Sequence, residues 1–461
     1  MQEMFAQSPA FTYDPLVGAY SVCHPRYPIP LEYAGWQDEN MSWKEACAIF
    51  AGLYPVNPVA KLWGPDVVRL LSQFTTSSYH NFKVGRLKHT TLCDDQGRIL
   101  THGLVVRVAE HEFHTYTLTP WLSFAASKGK YDVTFEDRTL TEFNFQCTGP
   151  RVLEVLEHAT GDCLHDIPFM GHRTSSIQGR EVRLFRMGMA GTLGYEVHGH
   201  IDAARELYAR IVEVGKAYGL QRVGWKSYSA QLCEGGYPQE TFSFYGAGRE
   251  DPGFMDYLKG LGFPTDVWPG HPIFAGSAGT DVKKRYRNPL ELGWHRSVSF
   301  EHEFRGKAAL EKEAAHPTRK IVTLVWNIED VMDVYASLFR RGDEPYRVMD
   351  FPIDNVWRTS RAGSRQPLDD VLKDGHVVGS SAARVYSLHS RDIISMGVID
   401  VKHAQLGTEL KVVWGDPGTR QKEVRAAVSP YPHLALPSNS TFDVASIPCI
   451  RKTAPRVAGT A

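Results

Sequence analysis

Three side chains in this sequence combine the type and the setting for acid–base chemistry on a flat molecule: Glu196, His102 and Tyr245. Glu196 follows a glycine run (Gly188, Gly191, Gly194) in GMAGTLGYEVHGH, a turn expected to use positive φ and to deliver Tyr195 and Glu196 into a short strand. An ionised carboxylate accepts hydrogen bonds and donates none. Buried, Glu196 would grip the N–H groups of a heterocycle or a phenol; exposed, it would only solvate the strand. His102 stands beside Gly103 in the apolar run ILTHGLVVRVA, where an imidazole able to move protons near neutral pH has a neighbour with no side chain. The competing role for it is a satisfied core histidine. Tyr245 adds a phenol in FYG. P-loop, H-E-x-x-H and G-x-S-x-G patterns are absent, and His198 and His200 share a strand face without the ligand set of a metal site, so no metal is assigned.

The elements that must position these groups alternate between strand and helix. A capping-box pattern predicts a helix over 42–50 (SWKEACAIF), followed by a strand over 56–63 and a helix in DVVRLLSQF. Residues 86–93 and 99–108 flank Asp94-Asp95-Gln96-Gly97, a hairpin whose second strand carries His102. Further strand and helix pairs follow through Gly161, and 202–218 reads as an amphipathic helix stopped by Gly219. A second helix over 226–232 ends at Glu234-Gly235-Gly236-Tyr237-Pro238. The segment 246–279, rich in Gly, Pro and aromatics, reads as a long loop shaping an opening. Short strands from Gly375 to Pro432 are spaced as in a small β-barrel.

A chain of 461 residues with 22% charged residues and a net charge of -1 has no bulk attraction to nucleic acid or to a membrane surface. Seven scattered cysteines without a C-x-x-C pair favour free thiols in a reducing compartment, and no apolar run is long enough to span a bilayer; a cytoplasmic protein is expected.

The order of glycine turn, GYE, helix, GWKSYSAQLCEGGYP and YG resembles the folate-binding region of the glycine-cleavage T-protein superfamily. More closely it resembles the tetrahydrofolate-dependent aryl O-demethylases that act on vanillate and syringate. LWGPDVVRLLS, NPLELGW, HEFRGKAAL, KIVTLVWN, YASLF and GTELKVVWG extend the likeness from about Val17 to about Pro432. The resemblance implies an α+β fold of T-protein type, with paired α+β subdomains, a middle α/β domain and a C-terminal small β-barrel. The expected segments are an N-terminal arm (1–40), a folate-binding-like catalytic region (41–265), the middle domain (266–370), and the barrel with its tail (371–461).

The resemblance also implies roles. Tyr245 matches the tyrosine at the family's methyl-transfer centre, and His102 stands where the pattern has an aspartate near the reacting carbon. Glu196, Glu234 and Trp225 would hold a pterin, with Tyr20, His89, Tyr195 and Tyr237 as further binding candidates. Three departures are notable: GAYSVCHP lacks the arm's second tyrosine at about Val22, GLYPVN around Tyr54 and Pro55 lacks a histidine pair, and TYTLTP lacks the arginine that would clamp a benzoate. These losses point to a different small aromatic substrate and to more prominent proton transfer. The expected activity is a folate-independent formaldehyde lyase, similar to the phenylcoumaran γ-formaldehyde lyases, needing no cofactor. His102 would act as base, Tyr245 as acid, and Glu196 would anchor a hydroxyl. The alternative is a tetrahydrofolate-dependent aryl O-demethylase; a non-catalytic folate-binding module is a third possibility. Whether His102, His89 or an arm histidine such as His24 is the base stays open.

Overall fold

A computed structural model describes residues 29–52, 57–189, 191–262, 273–354 and 365–449, together with positions 8, 9, 14, 17 and 19–21 of the N-terminal arm. Val22, His24, Tyr54 and Pro55 lie outside the described residues, as does the tail beyond Cys449.

Two sheets dominate the first half of the chain. One has six strands in the order His172–Ile177, Arg180–Phe185, Gly194–His200, Glu142–Thr148, Cys47–Phe50 and Leu220–Arg222. The other has five: Leu87–Cys93, Ile99–Arg107, Glu112–Tyr116, Val59–Trp63 and Thr134–Asp137. Helices Val152–Thr160 and Ala204–Gly215 bury their apolar stripes on the back of the six-stranded sheet, around Phe143, Phe145, Tyr195 and Val197. The back of the five-stranded sheet is covered by helices Val67–Phe74, Trp121–Ser127 and Pro252–Gly260, around Leu62, Phe113 and Val105. The front faces meet each other through Val59, Leu104, Val106, Tyr116, Phe185 and Met187.

Three local expectations are corrected. The helix near residue 42 starts earlier, at Trp36–Glu45, and CAIF is a strand. All four of its residues are buried because it lies inside the sheet, paired with Glu142–Thr148 and Leu220–Arg222, so it shows no period that would separate it from a helix. The loop expected over 246–279 contains the helix Pro252–Gly260, capped by the Asp251 side chain on the Phe254 amide. Gly188 and Gly194 do not adopt positive φ. Their use is close approach: a Cβ on Gly191 would lie 3.0 Å from the Gly235 Cα, and one on Gly194 3.2 Å from the Met187 carbonyl oxygen.

The C-terminal barrel is closed, in the order Arg319–Trp326, Asp392–Asp400, His376–Ser387, Asp369–Lys373, Glu409–Trp414 and Lys422–Ser429. Its first strand comes from within the segment expected to form the middle domain. Helix Trp225–Glu234 lies between the six-stranded sheet and this barrel, with Trp225, Tyr228, Leu232 and Cys233 in one core with Val385, Ile394, Met396 and Val398. The cysteines also depart from expectation. Cys47, Cys93, Cys147 and Cys233 are buried and free, but Cys163 and Cys449 are brought together as a disulfide-type pair, Cα atoms 5.9 Å apart across a separation of 286 residues. Sequence spacing could not reveal that meeting.

A buried charge pair locks these parts. Glu234 accepts from Lys44 Nζ at 2.9 Å and Asn40 Nδ2 at 3.1 Å on one oxygen, and from Ser387 Oγ at 2.6 Å on the other. Both charged side chains are essentially inaccessible to water, so neither can be left alone cheaply. Lys44→Met is expected to destabilise the protein by about 3–5 kcal/mol in chemical unfolding. Adding Glu234→Leu should recover part of that loss, because the stranded carboxylate is then gone.

Candidate functional site

The space between the two sheet faces is where the polar residues converge. Alternation along Gly194–His200 and Glu142–Thr148 sends Glu196, His198, Asn144 and Gln146 to the front face, with Tyr195 and Val197 on the back. Glu196 is 3% exposed, which removes the surface role weighed for it. Its Oε1 accepts from Gln146 Nε2 at 2.8 Å, and its Oε2 from Asn144 Nδ2 at 3.3 Å and from His198 Nε2 at 3.0 Å.

His198 faces a second carboxylate through its other nitrogen, with Nδ1 3.2 Å from Glu142 Oε1. Glu142 Oε1 also accepts from the Tyr116 hydroxyl at 2.5 Å, and Tyr116 belongs to the opposite sheet. An imidazole between two carboxylates must donate from both nitrogens and is therefore cationic. Burial opposes that charge, but the hydrogen bonds to Glu142 and Glu196 outweigh it and the His198 pKa is raised. The chain Tyr116–Glu142–His198–Glu196 thus crosses between sheets and ends at a fixed carboxylate. Asn144 Oδ1, beside it, is buried without a hydrogen-bond partner among the described residues.

The facing sheet contributes a histidine pair. Register places His89 opposite Leu104 and His102 opposite Thr91, so both imidazoles stand on the front face. His89 Nε2 lies 3.2 Å from His102 Nδ1, and His89 Nδ1 lies 2.9 Å from Ser297 Oγ. His102 Nε2 has no protein partner among the described residues. Phe244, Tyr237 and Trp294 surround the pair, with the Trp294 ring 4.7 Å from His89 and 4.8 Å from His102. Burial pushes His89 down to about 4; His102 is also lowered well below the usual histidine value, by burial and then by its neighbour His89. Both are neutral at physiological pH. Gly103 serves the opposite face: a Cβ there would lie 1.9 Å from the Tyr116 carbonyl oxygen, so the glycine lets the adjoining strand pass closely.

The two halves share a field. Burial, then the charge on Glu196, raises the pKa of Tyr237, and the same causes act on Tyr228. Tyr228 stacks on Phe50 at 3.9 Å, with Trp225 edge-on to both rings.

The remaining candidates lie elsewhere. Tyr245 follows Phe244 and points the other way, into the core behind the five-stranded sheet, where its ring meets Phe274 and its buried hydroxyl has no partner among the described residues. Tyr195 is in the core behind the six-stranded sheet. Tyr20 packs against that same core and bonds the Asp14 backbone. Glu234 has both oxygens engaged by Lys44, Asn40 and Ser387. Several site residues were not expected: Glu142, Asn144, Gln146, Tyr116, His198, Phe244, Trp294 and Ser297. The polar alternation in EFNFQ and YEVHGH carries a signal for four of them; Trp294 and Ser297 come from an irregular connection that carries none.

Face-to-face sheets of this kind, a closed barrel and a polar row between the sheets define a chain of the T-protein class. Residues 17–241 match the GCVT N-terminal domain family. The chain is 41% identical over 435 residues to a sesamin methylene transferase of Sinomonas sp. strain No.22, covering 94% of this chain and 96% of the relative. It is 30% identical to a syringate O-demethylase of Sphingobium sp., covering 89% and 91%. The glycine cleavage aminomethyltransferase T of Bartonella henselae has the same fold, with a TM-score of 0.64 over 91% of this chain and 95% of that one at 16% identity. The protein belongs to the aminomethyltransferase superfamily of one-carbon enzymes, whose members use tetrahydrofolate.

The histidine pair has a stability consequence. Between about pH 6.5, where a free imidazole titrates, and about 4, where His89 does, the unfolded chain binds a proton that the folded chain refuses. Stability is therefore full above that window and falls through it as acid is added. His89→Gln should flatten the dependence of melting temperature on pH there, by at most about 3 kcal/mol at the acid end; an unchanged acid slope would show that His89 is not buried neutral.

Proposed function

We propose that this protein transfers a one-carbon group from an aryl ether oxygen to tetrahydrofolate, acting on an uncharged aromatic whose phenolic oxygens carry a methylene bridge or a methyl group. Relatedness along nearly the whole chain to two enzymes named for moving or removing such a carbon supports this over the folate-independent formaldehyde lyase. The lyase would use the same His102, as a base on a side-chain CH2OH. Kinship with the sesamin enzyme tips the balance.

The polar row fits a pterin. Glu196 is an acceptor held in place by three donors, and Asn144 Oδ1 is a second acceptor beside it with no donor among the described residues. Together they suit the ring N–H and amino groups of a reduced pterin, and Phe50, Tyr228 and Trp225 offer flat apolar surface nearby. When bound, tetrahydrofolate supplies the amine that receives the carbon.

The protein's own part is the proton. Cleaving an aryl O–C bond leaves a phenolate, which departs more readily when protonated as it leaves. If His89 Nε2–H donates to His102 Nδ1, then His102 carries its proton on Nε2, the end without a protein partner. His102 Nε2–H donates to the departing oxygen, the His89 Nε2 proton moves to Nδ1 of His102, and His89 takes a proton at Nδ1 from the half-buried Ser297 hydroxyl, whose oxygen takes one in turn from water. The pair moves a proton without holding a stable cation, consistent with its lowered pKa values. The rings around it (Phe244, Tyr237, Trp294) carry no charge, which suits a neutral aromatic better than a benzoate.

The test is purified protein with sesamin, syringate or a phenylcoumaran, with and without tetrahydrofolate. Folate-dependent release of a catechol or phenol from an ether substrate is expected; formaldehyde and a stilbene from the phenylcoumaran without folate would restore the lyase. His102→Gln should lower kcat by about 100- to 10,000-fold. Glu196→Gln should weaken folate binding by about 1.5–3 kcal/mol in calorimetry, with less effect on the aromatic.

A further inference from the structure

On the far side of the six-stranded sheet, away from the proposed site, four side chains of metal-ligand type converge. Glu157 comes from helix Val152–Thr160, Cys163 and His165 from the loop after it, and Cys449 from the C-terminal tail. One donor atom from each lies within 4.8 Å of all the others. Such convergence is rare for residues nearly three hundred positions apart, and all four are types that zinc favours.

The histidine orientation adds a second observation. His165 Nε2 lies 2.9 Å from the Ile447 carbonyl oxygen, which can only accept, so Nε2 carries a hydrogen. The other nitrogen, Nδ1, then points at Glu157 Oε1 at 2.8 Å and at Cys163 Sγ at 3.4 Å. Once Cys163 is reduced to the thiolate, three electron-pair donors face one another there and need a cation between them, either a proton on Nδ1 or a metal. A backbone carbonyl fixing the outer nitrogen of an imidazole is the usual outer shell of a bound metal. Glu157 is itself oriented, its Oε1 accepting from the Leu164 amide at 2.6 Å. With Zn–S near 2.3 Å and Zn–N and Zn–O near 2.0–2.2 Å, tetrahedral neighbours stand roughly 3.3–3.8 Å apart; the Cys163–His165 spacing matches, and the joined sulfurs and the 2.8 Å Nδ1–Oε1 pair would open to admit the ion.

We propose that Glu157, Cys163, His165 and Cys449 form a zinc site that pins the C-terminal tail to the back of the folate-binding half. The tail is otherwise held by Arg186, which donates to the Asn439 and Phe442 carbonyls at 3.2 Å, and by Asn439, which donates to the Gly194 carbonyl at 2.7 Å. Gly194 opens the strand that carries Glu196, so the anchored tail braces that strand from behind. Binding joins one Zn2+ to two thiolates, one imidazole and one carboxylate, and releases two thiol protons to solvent. The same sulfurs can instead be joined to each other, and the two states exclude one another because a disulfide has no thiolate to offer.

The experiment uses the full chain, purified with a thiol reductant and dialysed against equimolar zinc, with elemental analysis for stoichiometry. About one zinc per chain is expected. Replacing zinc by cobalt should give the thiolate charge-transfer and tetrahedral ligand-field bands. Cys449→Ser and His165→Gln should each weaken zinc binding by more than the roughly 10–100-fold that outer-shell changes cost. Protease cleavage of the tail should be faster without zinc. Three results would overturn the proposal: no zinc on the reduced wild-type protein, undiminished zinc binding in both variants, or a peptide map showing Cys163 still disulfide-linked to Cys449 with reductant and zinc present. The cobalt spectrum is read on wild-type protein, so it stands even if a variant misfolds.

Discussion

A carboxylate buried between two sheets sets the terms for the rest of this structure. Glu196 has no water to satisfy it, so the fold must supply donors, and it does so from three directions. Asn144 and Gln146 come from the neighbouring strand, fixed by register. His198 comes from two residues along the same strand, and is itself kept charged by Glu142. Tyr116 reaches Glu142 from the opposite sheet, so the polar row also helps to fix how the two sheets face each other. Breaking any one member leaves a buried charge short of a partner, which is why such a network rigidifies its surroundings when complete.

Against that fixed negative end, the histidine pair is poised differently. His198 is charged because carboxylates flank it; His89 and His102 are neutral because they are buried, and His102 also because His89 adjoins it. The same side chain is therefore a static cation on one sheet and, in the proposed reaction, would be the proton carrier on the other. The division rests on neighbours alone, and it gives the proposed site one polar wall and one apolar wall.

Much of this was legible in the residues. Period-two alternation around Glu196 placed it on a strand, the Asp-Asp-Gln-Gly turn placed His102 on a hairpin, and the ordered motifs indicated the T-protein fold, which the structure and the full-length relatives bear out. What could not be read has physical causes. CAIF is buried on every side and so has no period. Phe244 and Tyr245 are adjacent, and which ring enters the cage depends on the local twist of a short loop that composition does not encode. Glu234 looks like a ligand residue in EGGYP, yet its partner Lys44 is 190 positions away and only the folded chain brings them together. Trp294 and Ser297 lie in an irregular connection whose path is set by what it packs against.

The helix Trp225–Glu234 has one flank on the sheet that carries Glu196 and the other on the barrel. A fragment ending where the family match ends, at residue 241, would therefore present Tyr228, Leu232 and Cys233 to solvent and leave Glu234 without Ser387. The N-terminal half has the outline of a module but lacks one wall of its own core. Gene fusions or rearrangements that separated the barrel from it would have inherited a sticky surface, so the two have reason to travel together as a single inherited unit.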